Sequence, residues 1–373
     1  MRLVLTGGGT GGHIYPALAI GREAAEKQPG TELLYIGTSK GLESRIVPSQ
    51  GIPFESVEIS GFRRSMSMQN VRTVVRFLQA FRRSKELLRR YKPDIVVGTG
   101  GYVCGPVVFA ASRLGIPTLI HEQNVVPGLT NKFLSRYASA VAVSFADSLP
   151  HFARVGNAKH AGNPVASMVA KADKKKGFAS LGLAPGTPFV LAVGGSRGAK
   201  AVNEAIMEML PGFAGLGEVH LVFVTGERYY EEAQTRLAGL PAELSKRVRA
   251  LSYVHNMPEV LAAASLIVSR AGASSLAEIT SLGVPSVLIP SPNVTNNHQQ
   301  PNAESLASAG AAVMILEKDL NGGSLLASVS SIMRDPARRE RMAAASRGLG
   351  MPEAAETIYE QMLQAIRASK RRR

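Results

Sequence analysis

The chain has 373 residues, 45% of them hydrophobic, which is enough for two globular domains with separate cores. Its 43 Lys and Arg against 28 Asp and Glu leave a net charge of +15, so an anionic partner is expected: nucleic acid, a lipid surface or a phosphorylated substrate. A single cysteine, Cys104, excludes an internal disulfide framework, and no apolar run reaches the roughly 18 residues of a spanning helix, so no secretory leader and only peripheral membrane contact are expected.

The first predicted strand, Arg2 to Leu5, feeds Thr6-Gly7-Gly8-Gly9-Thr10-Gly11-Gly12-His13. A buried strand breaking into glycine at a helix start presents backbone N–H groups to an anion. His13 stands at the mouth of that turn, able to move a proton near neutral pH. Gly7-x-Gly9-x-x-Gly12 also matches the dinucleotide fingerprint, but the second strand, Glu32 to Ile36, ends in Gly37-Thr38-Ser39 without the carboxylate that would hold a ribose. An NAD site is therefore disfavoured.

From Gly61 to Lys92 the chain is dense in Arg and Lys, with Glu86 the only acid, while Val71, Val74, Val75, Leu78 and Phe81 recur at helical spacing. Such a stripe packs on its own sheet in an ordinary crossover helix. The basic load, including Arg63, Arg64, Arg72, Arg76, Arg82, Arg83, Arg89 and Arg90, suits anionic headgroups instead. Arg72, Val75, Arg76, Leu78, Arg82 and Arg83 are the candidate membrane contacts. Nucleic acid is disfavoured, because aromatics are not interleaved as a stacking platform needs.

Further strands are expected at Ile95 to Val97, Thr118 to Ile120 and Ala140 to Val143, then at Phe189 to Val193, Val219 to Val224, Leu266 to Val268 and Ser286 to Ile289. Short apolar runs alternating with helical patterns predict parallel sheets with crossover helices. Between the two sets, Gly162-Asn163-Pro164-Val165 and the charged stretch Lys171 to Lys176 read as a linker. The expected division is residues 1–163, a linker at 164–185, a second domain at 186–350 and a C-terminal helix with a basic tail at 351–373.

The halves echo each other. Ile95-Val96-Val97 leads through Gly98 to Gly101 and a helix to Leu114-Gly115-Ile116-Pro117, while Leu266-Ile267-Val268 leads through Arg270-Ala271-Gly272-Ala273 and a helix to Leu282-Gly283-Val284-Pro285. Two doubly wound domains are expected to face each other across a cleft, with glycine turns at the carboxyl ends of the strands, where ligands bind in such sheets. Gly194-Gly195-Ser196-Arg197-Gly198 forms one anion-binding turn, and the helix beginning near Ala273, with Ser274 and Ser275, a second. Glu278, one turn down, is placed to accept bonds from a sugar or ribose diol. Alone, Ser274 reads as an N-cap and Glu278 as a solvated face; together these features favour a nucleotide diphosphate. There is no P-loop lysine motif, no zinc spacing and no Asp-x-Asp pair for magnesium, so helix dipoles, backbone N–H groups and arginine are left to offset a leaving diphosphate.

Gly8-Gly9-Thr10-Gly11-Gly12-His13-Ile14-Tyr15-Pro16, Gly100-Gly101-Tyr102-Val103-Cys104-Gly105-Pro106, His121-Glu122-Gln123-Asn124, Gly162-Asn163-Pro164-Val165, Gly194 to Gly198 and Ser269-Arg270-Ala271-Gly272-Ala273 resemble, in order, the motifs of the MurG family, glycosyltransferase family 28. The resemblance implies a GT-B fold and metal-independent, inverting transfer of N-acetylglucosamine from UDP-GlcNAc to lipid I at the cytoplasmic face of the bacterial membrane, with no cofactor. It also implies other cell-wall synthesis proteins as partners. On these positions it implies that Thr10, Gly11, Gly12 and Tyr102 border sugar and acceptor diphosphate, and that Asn124 touches GlcNAc. Ser196 would hold the donor diphosphate, with Arg270 and Ala273 to Ser275 beside it; Val254 would lie against uracil, Glu278 at the ribose, and Gln299 and Gln300 at sugar hydroxyls. His13 is the implied base for the MurNAc C4 hydroxyl and Glu122 its competitor.

Three positions depart from the pattern. Ala166 stands where an Arg usually follows Gly-Asn-Pro-Val, leaving Arg197 or Arg270 as the stand-in cation; Cys104 replaces a serine; and Pro301 follows the glutamine pair. A glycolipid synthase with a diacylglycerol acceptor and a basic nucleotide-binding protein without turnover remain as alternatives.

Overall fold

A computed structural model describes residues 1–59, 68–195 and 198–372, with the side chains of 68–73 and 372 outside the description. Arg63, Arg64, Ser196 and Arg197, and the side chains of Val71 and Arg72, therefore lie outside the described residues. The chain divides into two compact units, Met1–Ser167 with Glu353–Arg373, and Met168–Pro352.

The first unit carries a parallel sheet of seven strands: β1 (Arg2–Thr6), β2 (Glu32–Gly37), β3 (Phe54–Ser56), β4 (Ile95–Gly98), β5 (Thr118–Glu122), β6 (Ala140–Val143) and β7 (Ala158–His160), in the order β3-β2-β1-β4-β5-β6-β7. β4, β5 and β6 are buried along their whole length, the signature of strands covered by helices on both faces. One face packs Leu3, Leu5, Ile95 and Val97 against Ile14, Ala17 and Ile20 of the helix Gly11–Lys27, and the other packs Val4, Val96 and Ile120 against Val107, Val108 and Leu88. The winding reverses between β1 and β4, so the turns after these two strands lie at the switch point where doubly wound sheets bind ligands.

The second unit repeats the plan with six parallel strands: β8 (Phe189–Val193), β9 (His220–Val224), β10 (Val248–Leu251), β11 (Leu266–Ser269), β12 (Ser286–Leu288) and β13 (Ala312–Met314), in the order β10-β9-β8-β11-β12-β13. Its switch point falls between β8 and β11, where the sequence has its other two glycine-bearing turns. Four strands beyond those expected, β3, β7, β10 and β13, are short, and β3, β7, β10 and β13 are also the edges of the sheets.

Two segments sit differently from the expected division. Within 164–185 the chain forms helices Val165–Val169 and Lys174–Ser180, and the latter packs on Met257–Ala263 in the second unit. Asp173 caps it by accepting from the Lys175 N–H at 2.8 Å, and Asn256 Nδ2 donates to Ser180 Oγ at 2.9 Å. The C-terminal helix Ala354–Arg372 returns to the first unit, burying Ile358 and Met362 against its core while Gln361 Nε2 donates to the carbonyls of Val141 and Asn157.

Candidate active site

In the first unit the two turns at the switch point touch backbone to backbone. Gly8 N donates to Gly100 O at 3.3 Å, and a Cβ at Gly101 would overlap the Gly8 carbonyl oxygen. Gly9 has φ of +85°, a conformation L side chains rarely adopt. Tyr35 Oη donates to Gly7 O at 2.7 Å, and Thr99 Oγ1 to His13 O at 2.7 Å. The buried Cys104 sulfur accepts from Gly100 N at 3.2 Å and lies 3.0 Å from Thr6 O and 2.9 Å from Gly100 O. Burial pushes this thiol up to about 12, so it serves as a protonated strut where the related pattern has serine.

His13 lies in the first turn of Gly11–Lys27, with Nδ1 2.9 Å from the Gly8 carbonyl oxygen. A carbonyl only accepts, so Nδ1 carries the proton and Nε2 the lone pair in the neutral ring. Thr10, the N-cap, makes no side-chain capping bond, and the N–H groups of Gly11 and Gly12 have no partner among the described residues. Unpaired N–H groups at a helix start are what the anion-binding turn expected from the sequence would need. Tyr102, partly exposed, borders the turn, 3.8 Å from where a Gly9 Cβ would stand.

Glu122, the competing base, is 2% exposed, and its carboxylate is fully engaged. Oε1 accepts from the N–H of Asn124 at 3.0 Å and from Asn124 Nδ2 at 3.3 Å; Oε2 accepts from Gly128 N at 3.1 Å and Asn131 Nδ2 at 2.9 Å. Four donors occupy both oxygens of this buried carboxylate, so its geometry is that of a strut for the loop bearing Asn124. Beside it, burial lowers His121 to about 4; its Nε2 lies 3.0 Å from Gly162 O, and Gln123 Nε2 donates to Thr99 O at 2.7 Å. Sequence reasoning passed over Glu43, whose wholly buried carboxylate reaches the Gly8–Gly9 turn.

In the second unit, Gly272 caps the helix Ala273–Leu282 without a side-chain bond, and the Ser274 hydroxyl is buried with no partner among the described residues. Glu278 is partly buried with no hydrogen bond or ion pair among the described residues, and desolvation pushes its carboxyl up to about 7. A desolvated carboxylate without donors is a receptor for hydroxyls. Glu278→Ala is expected to weaken UDP-GlcNAc binding by about 1.5–3 kcal/mol. Wild-type affinity should rise as pH climbs through about 7, because hydroxyl donors favour the ionised form, and Glu278→Gln should flatten that rise. Calorimetric titration across this range checks both; an unaltered affinity in Glu278→Ala would remove Glu278 from the donor site.

The other expected donor contacts are placed less uniformly. Arg270 ion-pairs with Glu317 and donates to Ile289 O at 3.2 Å, so its guanidinium braces β11 against the segment Glu317–Asp319. That geometry speaks against Arg270 as stand-in for the cation absent at the buried Ala166. Gln299 Oε1 accepts from Ser291 N at 2.9 Å, whereas Gln300 accepts from Asn297 and donates to Glu304, both at 2.8 Å. Gln299 Nε2 has no partner among the described residues, and Pro301 sits in the first turn of Gln299–Ser308, where its missing N–H costs nothing. Val254 is buried beside the exposed Tyr253.

The basic helix Met68–Tyr91 divides its apolar residues between two faces. Ala80, Leu87 and Leu88 enter the core, while Val74, Val75 and Leu78 are about half exposed, at 48%, 49% and 53%. Arg76 and Arg82 are exposed without ion pairs among the described residues; Arg83 pairs with Glu55 and Glu86, and Arg90 with Glu55. Phe81 continues into a ring cluster with Phe109, Phe133 and Tyr137, and Leu129 is 70% exposed at the start of the helix Leu129–Leu134. These last residues were missed because six residues are too few to show a period.

Residues 3–143 match the glycosyltransferase family 28 N-terminal domain and residues 189–358 its C-terminal domain. The chain is 50% identical over 369 residues to a Bacillus cereus protein named UDP-N-acetylglucosamine–N-acetylmuramyl-(pentapeptide) pyrophosphoryl-undecaprenol N-acetylglucosamine transferase 1, covering 98% of this chain and 100% of that protein. A Listeria monocytogenes protein with the same transferase name but no numeral is 49% identical, with 98% and 100% covered. The crystal structure of Acinetobacter baumannii MurG superposes with a TM-score of 0.79 at 29% identity, covering 97% of this chain and 99% of that one. Both domain matches, the full-length identity and two doubly wound sheets with glycine turns at their switch points agree: the chain belongs to glycosyltransferase family 28.

Proposed function

We propose that this chain transfers N-acetylglucosamine from UDP-GlcNAc to the C4 hydroxyl of MurNAc in lipid I, giving lipid II and UDP for peptidoglycan synthesis. The observation that carries the reading is 50% identity across 98% of the chain to a relative bearing the transferase name. The side chains supply a chemistry that fits. His13, with Nδ1–H held by Gly8 O, takes the hydroxyl proton on Nε2. The oxygen's electron pair forms the new bond to the anomeric carbon, the bond from that carbon to the β-phosphate oxygen breaks, and its pair leaves with UDP. A single displacement of this kind inverts the sugar carbon. The uncapped start of Ala273–Leu282 offers N–H groups and a helix dipole to the leaving charge without a metal.

The lipid acceptor cannot leave its bilayer, so the enzyme must come to it. No helix among the described residues is long and apolar enough to cross a membrane. Val74, Val75 and Leu78, flanked by Arg76 and Arg82, support peripheral docking on the anionic cytoplasmic leaflet, where other cell-wall synthesis proteins would meet the enzyme.

Measuring UDP release with lipid I, with diacylglycerol and with no acceptor tests the reading. Turnover is expected with lipid I alone, and excess chelator should leave it intact. Release with diacylglycerol would favour a glycolipid synthase, no release a binding protein, and a loss restored by magnesium would defeat the metal-free account of the leaving group.

A further inference from the structure

We propose that Glu43 is a positioning residue for His13 that acts through one peptide bond: its carboxylate accepts the N–H of Gly9, and the Gly8 carbonyl of that same peptide accepts the Nδ1–H of His13. The proposal rests on the reading of His13 as the base.

Glu43 opens the short helix Glu43–Ser49 and is wholly buried. Oε2 lies 3.2 Å from Gly9 N, while Oε1 accepts from Thr38 N at 3.1 Å and Thr38 Oγ1 at 2.7 Å. No lysine or arginine among the described residues pairs with it. Burying a charge with no counter-ion is costly, so the position calls for an explanation. Three glycines make room for it. A Cβ at Gly8 would come within 2.5 Å of Oε1, one at Gly37 within 2.7 Å of Cγ, and one at Gly41 would overlap both oxygens.

The Gly8–Gly9 peptide links this chamber to the base. Hydrogen bonds in series polarise one another, so negative charge on the Gly9 N–H makes the Gly8 oxygen a stronger acceptor. That favours the Nδ1–H tautomer, leaves Nε2 as the nitrogen that accepts, and stabilises the imidazolium formed when the acceptor hydroxyl gives up its proton. It is the task of the carboxylate behind a catalytic histidine in a triad, with a peptide interposed.

Other titratable groups around the turn leave this role to Glu43. Tyr35, on β2, is pushed well above its ordinary value by burial and donates to Gly7 O; Cys104 is pushed up to about 12. His121, behind Gln123, is lowered to about 4 and stays neutral, and Glu122 spends its oxygens on its own loop. Tyr102 borders Gly9, and Tyr15 stands on His13's own helix, 49% exposed. Among the described residues, Glu43 is the carboxylate bonded to the Gly8–Gly9 peptide.

Imidazole ¹⁵N spectra of the full-length protein, with His13→Gln assigning the signal, test the link. Wild type should show the Nδ1–H tautomer, and Glu43→Gln should move the His13 titration down by about 0.5–1 pH unit, the size of a unit charge removed across a partly screened gap. The acidic limb of the kcat profile should move with it. Turnover should fall roughly tenfold, well short of the loss when a directly bonded carboxylate is removed from a triad, with UDP-GlcNAc KM within about twofold. In the His13→Gln background Glu43→Gln should cost nothing further. A folded Glu43→Gln protein with unchanged His13 tautomer and titration overturns the proposal, as does an equal kcat loss with or without His13. If Glu43→Gln does not fold, Thr38→Val removes one donor from Oε1 and should raise the His13 titration; no movement overturns the proposal. If His13→Gln keeps full turnover, the base reading fails, and the spectra still decide the link.

Discussion

His13→Ala is expected to lower kcat by about 10²- to 10⁴-fold while affinities for UDP-GlcNAc and lipid I change little, because a general base acts in the transition state and scarcely in binding. The structure sharpens the choice of base. Glu122 has all its lone-pair directions taken by Asn124, Gly128 and Asn131, whereas His13 donates its Nδ1–H to Gly8 O, the tautomer that directs basicity to Nε2. Steady-state kinetics with both substrates varied separates the outcomes. A loss confined to the lipid I KM would make His13 a phosphate ligand at the helix start and return attention to Glu122.

Replacing Arg72, Arg76, Arg82 and Arg83 by glutamine is expected to weaken association with anionic vesicles by a few kcal/mol, at about 1 kcal/mol per removed charge. Arg83 should contribute least, since Glu55 and Glu86 already neutralise it. Val75→Ser with Leu78→Ser should cost about 1.5 kcal/mol for each side chain, the low end for burying an aliphatic group. Vesicle co-sedimentation checks both. Binding should rise with anionic lipid and fall as salt shortens screening below about 8 Å, while activity on a water-soluble acceptor analogue persists. Wild-type binding by the arginine variant would assign the charges to another partner and point to the tail from Lys370 to Arg373.

How much of this was legible varies with the range of the interaction. The nine strands named from sequence all occur because each is a run of aliphatic residues bounded by turn chemistry, and central parallel strands need nothing more. The edge strands β3, β7, β10 and β13 escaped, being three or four residues long and partly polar. The segment 164–185 looked like a linker because Lys174 to Lys176 dominate its composition; the structure turns those charges outward and packs Gly177 and Phe178 inward, where a Cβ on Gly177 would collide with the Glu259 carbonyl.

By itself the sequence determined the doubled plan, the placement of four glycine-bearing turns at strand ends, and the family, because glycine, β-branched runs and capping residues act over a few neighbouring positions. Only the tertiary structure decided which of the candidate side chains are spent on the scaffold. Glu122, Arg270 and Gln300 look in sequence as available as Glu278 and Gln299. The first three meet partners brought by the fold, Asn131, Glu317 and Glu304, and are committed. Glu278 lies in a desolvated place with no donor among the described residues, and Glu43, unremarkable in sequence, meets Gly9 across 34 residues of chain. Hydrogen-bond satisfaction and desolvation depend on what arrives from elsewhere in the chain, and local sequence does not record it.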